Sequence, residues 1–233
     1  MRKKQIYFQA RCANTARFSF FACMLEALDR MLLLGENQEV EYKFELNSAR
    51  RISATLSAFA NTGGGTILVG VKDNGAVAGI RLDEEVYVLE AAASIYCKPE
   101  VKPQLFRHDI KGKAVLEVVV PEAEAKPVLA ETEPDAWKAW VRYGASNRLA
   151  SPVHLELWKM GDVRERPSVY STREQKLLSI WQQHKWISLN QAVKLTRLPR
   201  HIVVRTLASF VRWRIVDLIA EESGGFVFCL VDE

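Results

Sequence analysis

Three carboxylates and a lysine in the first half of the chain have the types and spacing for metal-assisted phosphate chemistry. Glu36 lies just ahead of the alternating run Glu39-Val-Glu-Tyr-Lys-Phe-Glu45, Glu41 stands on the polar face of that run, and Asp73 follows a second, apolar run, Thr66–Val71. If the two runs are neighbouring strands, the three acids can converge. A cluster of hard oxygen ligands suits Mg2+ or Mn2+. Such an ion polarises a phosphoryl oxygen and activates water for phosphodiester cleavage, and Lys43, on the same face as Glu41, would steady the developing charge. The same residues have a plainer reading. Alternating Glu and Lys also make a solvated strand face, and an Asp before Asn74-Gly75 is an ordinary turn residue.

Two basic groups offer recognition rather than catalysis. Lys138, Trp140 and Arg142 fall on one face of a strand over Trp137–Tyr143, with Asn147 and Arg148 just beyond. A ring between two cations can stack a base and track phosphates; it can equally be a cross-strand aromatic with solvated ends. Nearer the C-terminus, His201, Arg205, Ser209 and Arg212 recur at helical spacing, away from an apolar stripe of Val203, Leu207, Phe210 and Val211. Arg200, His201 and Arg205 occupy the N-terminal part of that helix. In helix-turn-helix folds this part enters the major groove, where arginine reads guanine. Glu221 and Glu222, at the tip of a following ribbon, would repel phosphates. The run Asn61-Thr-Gly-Gly-Gly65 could cradle a phosphate or cap a helix. No GxxxxGK[ST] run exists, so nucleotide hydrolysis is discounted.

These groups need elements to hold them. Period-two alternation makes residues 39–45 a half-buried strand. Ser48 caps a helix through Ile52, Leu56 and Phe59, which stops at the glycines. Thr66–Val71 is a buried strand, Asp73-Asn-Gly75 a hairpin turn, and Ala76–Ile80 the returning strand. A helix over Leu82–Cys97 carries Asp83, Glu84 and Glu85 in its first turn, as the helix dipole favours. Gln104–Asp109 and Ala114–Val120 flank a second hairpin. Gly144–Asn147 reads as a loop and Pro152–Met160 as a short helix. After a charged, Pro-containing linker come helices over Thr172–His184, from Ser188 and from Pro199, then strands Ile215–Ile219 and Phe226–Val231. Three helices and a two-stranded ribbon are the layout of a winged helix-turn-helix.

Composition bounds the function. The 233 residues are 48% hydrophobic and 26% charged, with net charge +4, an ordinary globular balance that excludes wholesale disorder and fibrous repeats. No apolar run approaches the ~20 residues of a membrane span. Cys12, Cys23, Cys97 and Cys229 are scattered, as are His108, His154, His184 and His201, so neither a zinc site nor a disulfide framework is expected, and a reducing cytoplasmic setting fits. Charge is uneven: +4 over residues 1–34, −3 over 35–160 and +3 over 161–233. The first 24 residues hold five cations and no acid. Of a targeting segment, a basic arm and a displaced start at Met24 or Met31, the last, or a loosely ordered extension, is the reading adopted.

In order along the chain, Gly35-Glu36-Asn-Gln-Glu-Val-Glu41-Tyr-Lys43, Ala58-Phe-Ala-Asn61-Thr-Gly-Gly64, Thr66–Asp73, Val77-Ala-Gly79, Lys126-Pro127 and Val141-Arg142-Tyr-Gly144-Ala-Ser-Asn147 resemble the Schlafen-type core, also called the AlbA-type DNA-binding domain. The resemblance implies an α+β core that binds nucleic acid. In some members it implies a metal-dependent endoribonuclease of tRNA or rRNA, whose three acids fall on Glu36, Glu41 and Asp73. Active nucleases of this kind carry two such lobes, and this chain shows one. The expected division is an extension over 1–34, a Schlafen-like domain over 35–160, a linker over 161–171 and a winged helix over 172–233. The expected function is a DNA-binding transcriptional regulator, with the ribonuclease and a non-catalytic docking or dimerisation module as alternatives. Mg2+ or Mn2+ is the one cofactor this chemistry admits; the partners are DNA or RNA and a second copy of the chain, with no membrane.

Overall fold

A computed structural model describes residues 28–161, 166–222 and 224–231. The expectations for residues 1–27 lie outside the described residues. Among the described residues, no helix is long and apolar enough to cross a membrane.

Two four-stranded sheets enclose one helix. Helix α1 (28–34) precedes β1 (Val40–Lys43), α2 (Ala49–Thr62) and β2 (Gly65–Val69). Then come α3 (Leu82–Ser94), β3 (Cys97–Lys98), β4 (Gln104–Ile110), β5 (Lys113–Val120), β6 (Leu129–Glu133), β7 (Ala136–Tyr143) and β8 (Ser146–Leu149). The first sheet has the order β1-β2-β5-β4, with β1 and β2 parallel, and the second β3-β6-β7-β8. Helix α2 is buried from Ile52 to Asn61. Its Ile52, Leu56 and Phe59 share a core with Ile67, Val69, Leu116 and Val118 of the first sheet and with Leu89 of α3. The other face of that sheet packs Val40, Tyr42, Leu68 and Val115 against Leu28 of α1. This is a mixed α+β fold, as expected.

The C-terminal unit holds α4 (Pro152–Lys159), α5 (Thr172–Leu178), a 3-10 turn (Ser179–Gln182), β9 (Ile187–Ser188), α6 (Leu189–Thr196), α7 (Arg200–Arg212), β10 (Val216–Ala220) and β11 (Phe226–Leu230). Its sheet has the order β10-β11-β9. Leu177, Trp181, Val203, Leu207, Phe210 and Phe228 form its core, and Val153 of α4 belongs to it too, so this core reaches back across the expected linker.

Several expectations are corrected. Strand β1 is covered on both faces, and Glu41 is only 6% exposed, because an arginine from β7 covers its polar side. The returning strand over Ala76–Ile80 is a single bridge, Val71 to Val77. Gly144–Asn147 is not a loop throughout, because Ser146 already begins β8. The helix over Thr172–His184 gives way to the 3-10 turn at Ser179. Of the two readings of the glycines after Asn61, the helix cap is the one that holds: Gly63 has φ 109°, and Gly64 donates to the Phe59 carbonyl at 2.8 Å. A Cβ on Gly64 would lie 2.8 Å from the Val120 carbonyl oxygen, so a strand, not a phosphate, occupies the space the glycine leaves.

Candidate nucleic-acid interface

The acidic trio does not assemble. Glu36 Oε1 accepts from the Tyr42 amide at 2.9 Å, which fixes the turn into β1. Glu41 is engaged through both oxygens: Lys43 Nζ donates to Oε1 and Arg142 Nη1 to Oε2. Asp73 is exposed in its turn. Among the described residues, no group of three His, Cys, Asp or Glu side chains could hold a metal ion. A carboxylate already paired with two cations is a poor metal ligand, so these residues do not fit Mg2+ or Mn2+. Lys43 is likewise tied to Glu41 rather than held ready for a phosphate.

Arg142 is corrected from surface contact to structural hub. It is 1% exposed. Beyond Glu41 it donates to the Asn37 carbonyl through Nε and Nη2, to the Val40 carbonyl at 3.1 Å and to Asn147 Oδ1 at 3.0 Å, and its guanidinium lies 5.0 Å from the Phe59 ring centroid. Every donor direction of the fork faces protein. Asn147 is part of the same network, passing its amide on to Thr55 Oγ1 at 2.9 Å. Its role is positioning too.

The reason β7 sits so close to α2 is legible in the helix. Paired with β6 only as far as Ala139, β7 has a free edge beyond it. Small polar side chains of α2 take the place of a strand there. Ser57 Oγ accepts from the Trp140 amide at 3.1 Å, Asn61 Nδ2 donates to the Trp140 carbonyl at 2.9 Å, and Thr62 Oγ1 accepts from the Arg142 amide at 3.0 Å. Buried backbone groups must be paired, and Ala, Ser and Thr are small enough to let strand and helix approach.

The remaining expected contacts divide. Trp140 is half-buried, with its indole Nε1 sealed from solvent, so it offers little surface for stacking. Lys138 is exposed. Arg148 is half-buried and donates through Nη1 to the Glu221 carbonyl, tying β8 to the β10–β11 turn. Arg212 donates to the Leu157 carbonyl at 2.7 Å, tying α7 to α4. Both are corrected to joints between elements. Arg200, His201 and Arg205 are exposed, as a nucleic-acid contact requires, although Arg200 also reaches Asn190 Oδ1 at 2.8 Å. Lys159 of α4 lines one groove with Arg200 and His201.

Between the two units stands His154. Its Nδ1 accepts from the Ser151 amide at 3.1 Å, closing the cap of α4. The ring packs against Phe226 at 4.8 Å and lies edge-on to Tyr143, whose hydroxyl donates to the Leu218 carbonyl at 3.1 Å. Burial lowers the His154 pKa from the usual 6.5 to about 4 and pushes Tyr143 up to about 12. Burial likewise raises Cys97 to about 12, so its thiol is no nucleophile at neutral pH.

Residue-by-residue reading passed over Lys185, Trp186, Lys194 and Arg197, all exposed. The signal was available: between Glu174 and Asp217 the sequence has no acid and eight Lys or Arg.

Residues 36–151 match the family model described as Schlafen, AlbA_2. No curated protein matches the chain. Among solved structures, the DIP2311 protein of Corynebacterium diphtheriae aligns over 91% of this chain at 14% identity, with a TM-score of 0.47; the chain spans only 39% of that protein. The N-terminal domain of a RecG-related protein from Nitrosomonas europaea aligns over 63% of this chain and 94% of its own length, at 22% identity and a TM-score of 0.37.

Proposed function

We propose that this chain, whose residues 36–151 are a Schlafen AlbA_2 domain, is a nucleic-acid-binding protein that acts as a DNA-binding transcriptional regulator. In this reading its C-terminal unit is a winged helix-turn-helix that reads duplex DNA. The observation that carries it is the division of α7. Val203, Leu207 and Phe210 are fully buried, while Arg200, His201 and Arg205 face solvent at the helix start with no acidic side chain nearby in sequence. A short helix presenting arginines from its first turns is the major-groove reading geometry. The ribbon contributes little, since its turn carries exposed Glu221 and Glu222 and leans on Arg148. The endoribonuclease reading draws no support from Glu36, Glu41 and Asp73 as they are placed, because two are spent on structural bonds.

Anisotropy titrations of a labelled duplex and of a folded RNA, from low to physiological salt, test this. Affinity should fall log-linearly with salt, by about 0.9 log units per phosphate contact for each log unit of salt. Arg205→Ala should flatten that slope by about one contact. No binding to either nucleic acid at low salt would refute the reading. Cleavage of the RNA on adding Mn2+, abolished by Glu41→Gln, would replace it with the ribonuclease.

A further inference from the structure

Strand β11 has two different surroundings at its two ends. Phe226 shares a small cleft with Arg200 and the β10–β11 turn, on the side where α7 begins. Leu230, some 13 Å further along at strand spacing, lines a separate groove of about 470 Å3 with Trp186 and Lys185. The pairing of Phe228 with Ile187 fixes this, since it sets the residues just before β9 beside the end of β11.

Trp186 is 47% exposed in this groove, and Leu230, which also lines it, is 42% exposed. An indole is usually mostly buried, and here the ring and an aliphatic side chain line one open groove. Lys185 Nζ stands 5.7 Å from the Trp186 ring centroid, so a π-surface and a cation are held side by side. Gln182, Gln183 and His184, all exposed, complete the rim. The groove therefore offers a stacking plane, an apolar wall, amides that can pair with a base edge, and positive charge.

We propose that this groove is a stacking site for an unpaired nucleotide of single-stranded nucleic acid, separate from the duplex contact of α7. The inference rests on the nucleic-acid reading above and adds a second substrate class to it. Charge favours an anionic occupant: among the residues that line the groove Lys185 is a cation and none is an acid. A second copy of the chain fits poorly, because a twofold contact centred here would set Lys185 against its own mate. Every nucleotide brings both a phosphate and a flat ring, which is the pairing that Lys185 and Trp186 complement.

The test uses the full chain, a labelled octathymidylate and a blunt duplex. Octathymidylate should bind, and Trp186→Ala should weaken it roughly 5- to 150-fold, the range for one base–aromatic stack, while duplex affinity stays unchanged. Trp186→Phe should retain most of the affinity, and Lys185→Ala should lower it in a salt-dependent way. Circular dichroism confirms that the exposed substitutions leave the fold intact. Duplex binding with octathymidylate affinity indifferent to Trp186→Ala would overturn this site and leave the nucleic-acid reading standing. Equal losses for duplex and single strand would also overturn it, by showing one shared surface. Failure of the parent chain to bind any nucleic acid would remove both.

Discussion

Arg142 on β7 and Arg205 on α7 carry the same guanidinium into opposite surroundings. Arg142 reaches a carboxylate 101 residues away in sequence, two backbone carbonyls and an asparagine, and disappears into the domain. Arg205 has no acid for 30 residues before it and none until Asp217 after it, and it stays in solvent. Basic residues are thus structural where the fold supplies acids and available to a polyanion where it does not. In the middle of the chain Lys43, Arg142 and Arg148 act as ties, while Lys72, Arg107 and Lys138 stay exposed; the basic C-terminal unit leaves most of its own cations facing outward.

The sharpest way to break this contrast is at the buried end. Arg142→Ala leaves Glu41 in the interior with only Lys43 as a partner, and removing one member of a buried pair typically costs about 3–5 kcal/mol. Urea unfolding should show a loss of that size. Arg142→Lys should recover little of it, since an ammonium cannot reproduce the fork that meets Glu41, Asn37 and Asn147 together. A change under about 1 kcal/mol would return Arg142 to the surface group and undo the comparison.

The next effect is a pH dependence at the joint between the two regions. Folded His154 titrates near 4, against the usual 6.5 for an exposed ring. Between those values the unfolded chain binds a proton that the folded one does not. Stability therefore rises with pH across the window, by up to ~1.4 kcal/mol per unit from this residue, and is fully present above about 6.5. Protonation would also remove the Nδ1 acceptor that caps α4. Unfolding midpoints of the parent chain minus those of His154→Gln should grow from pH 4.5 to 7. A flat difference would mean that the ring is solvated.

Much of the architecture was legible in local sequence. Glycine after Asn61, serine before Ala49 and the apolar stripe on α7 each specify their element through short-range physics, and all three appear where expected. What was not legible depends on partners distant in sequence. β1 reads as half-solvated because its alternation is perfect, and only Arg142 of β7 makes its polar face an interior one. β6 and β8 carry no strong pattern of their own and exist because β7 offers them an edge. The acidic trio shows the same limit: residue type announces a carboxylate, but not which cation lies beside it.

A middle-sized effect is expected at Asn61, the residue through which α2 stands in for a strand. Its side chain accepts from the Val128 amide at 2.8 Å and donates to the Val128 and Trp140 carbonyls. Asn61→Ala orphans the Val128 amide and removes a donor from the Trp140 carbonyl, while Ser57 Oγ still donates to the Val128 carbonyl, at a cost of about 1–3 kcal/mol. Asn61→Asp should be at least as damaging, since a carboxylate cannot donate to either carbonyl. Amide exchange at Val128 measures the effect directly, and unchanged protection there would show that β6 and β7 hold together without the helix.

The smallest expected effect separates the two regions most finely. Lys138 is the one cation of the Lys138, Trp140 and Arg142 face that is exposed, so Lys138→Ala should leave stability within about 0.5 kcal/mol, as for ordinary surface changes. Arg205→Ala should be equally silent in unfolding. Binding distinguishes them. If the contrast holds, Arg205→Ala flattens the salt dependence of duplex affinity by about one phosphate contact, and Lys138→Ala leaves it unaltered, because its neighbours Trp140 and Arg142 are turned into protein and a single exposed lysine does not make a track. If Lys138→Ala flattens the slope as much, the polyanion crosses both regions, and the contrast between the turned-in Arg142 face of β7 and the outward face of α7 no longer describes how the chain meets nucleic acid.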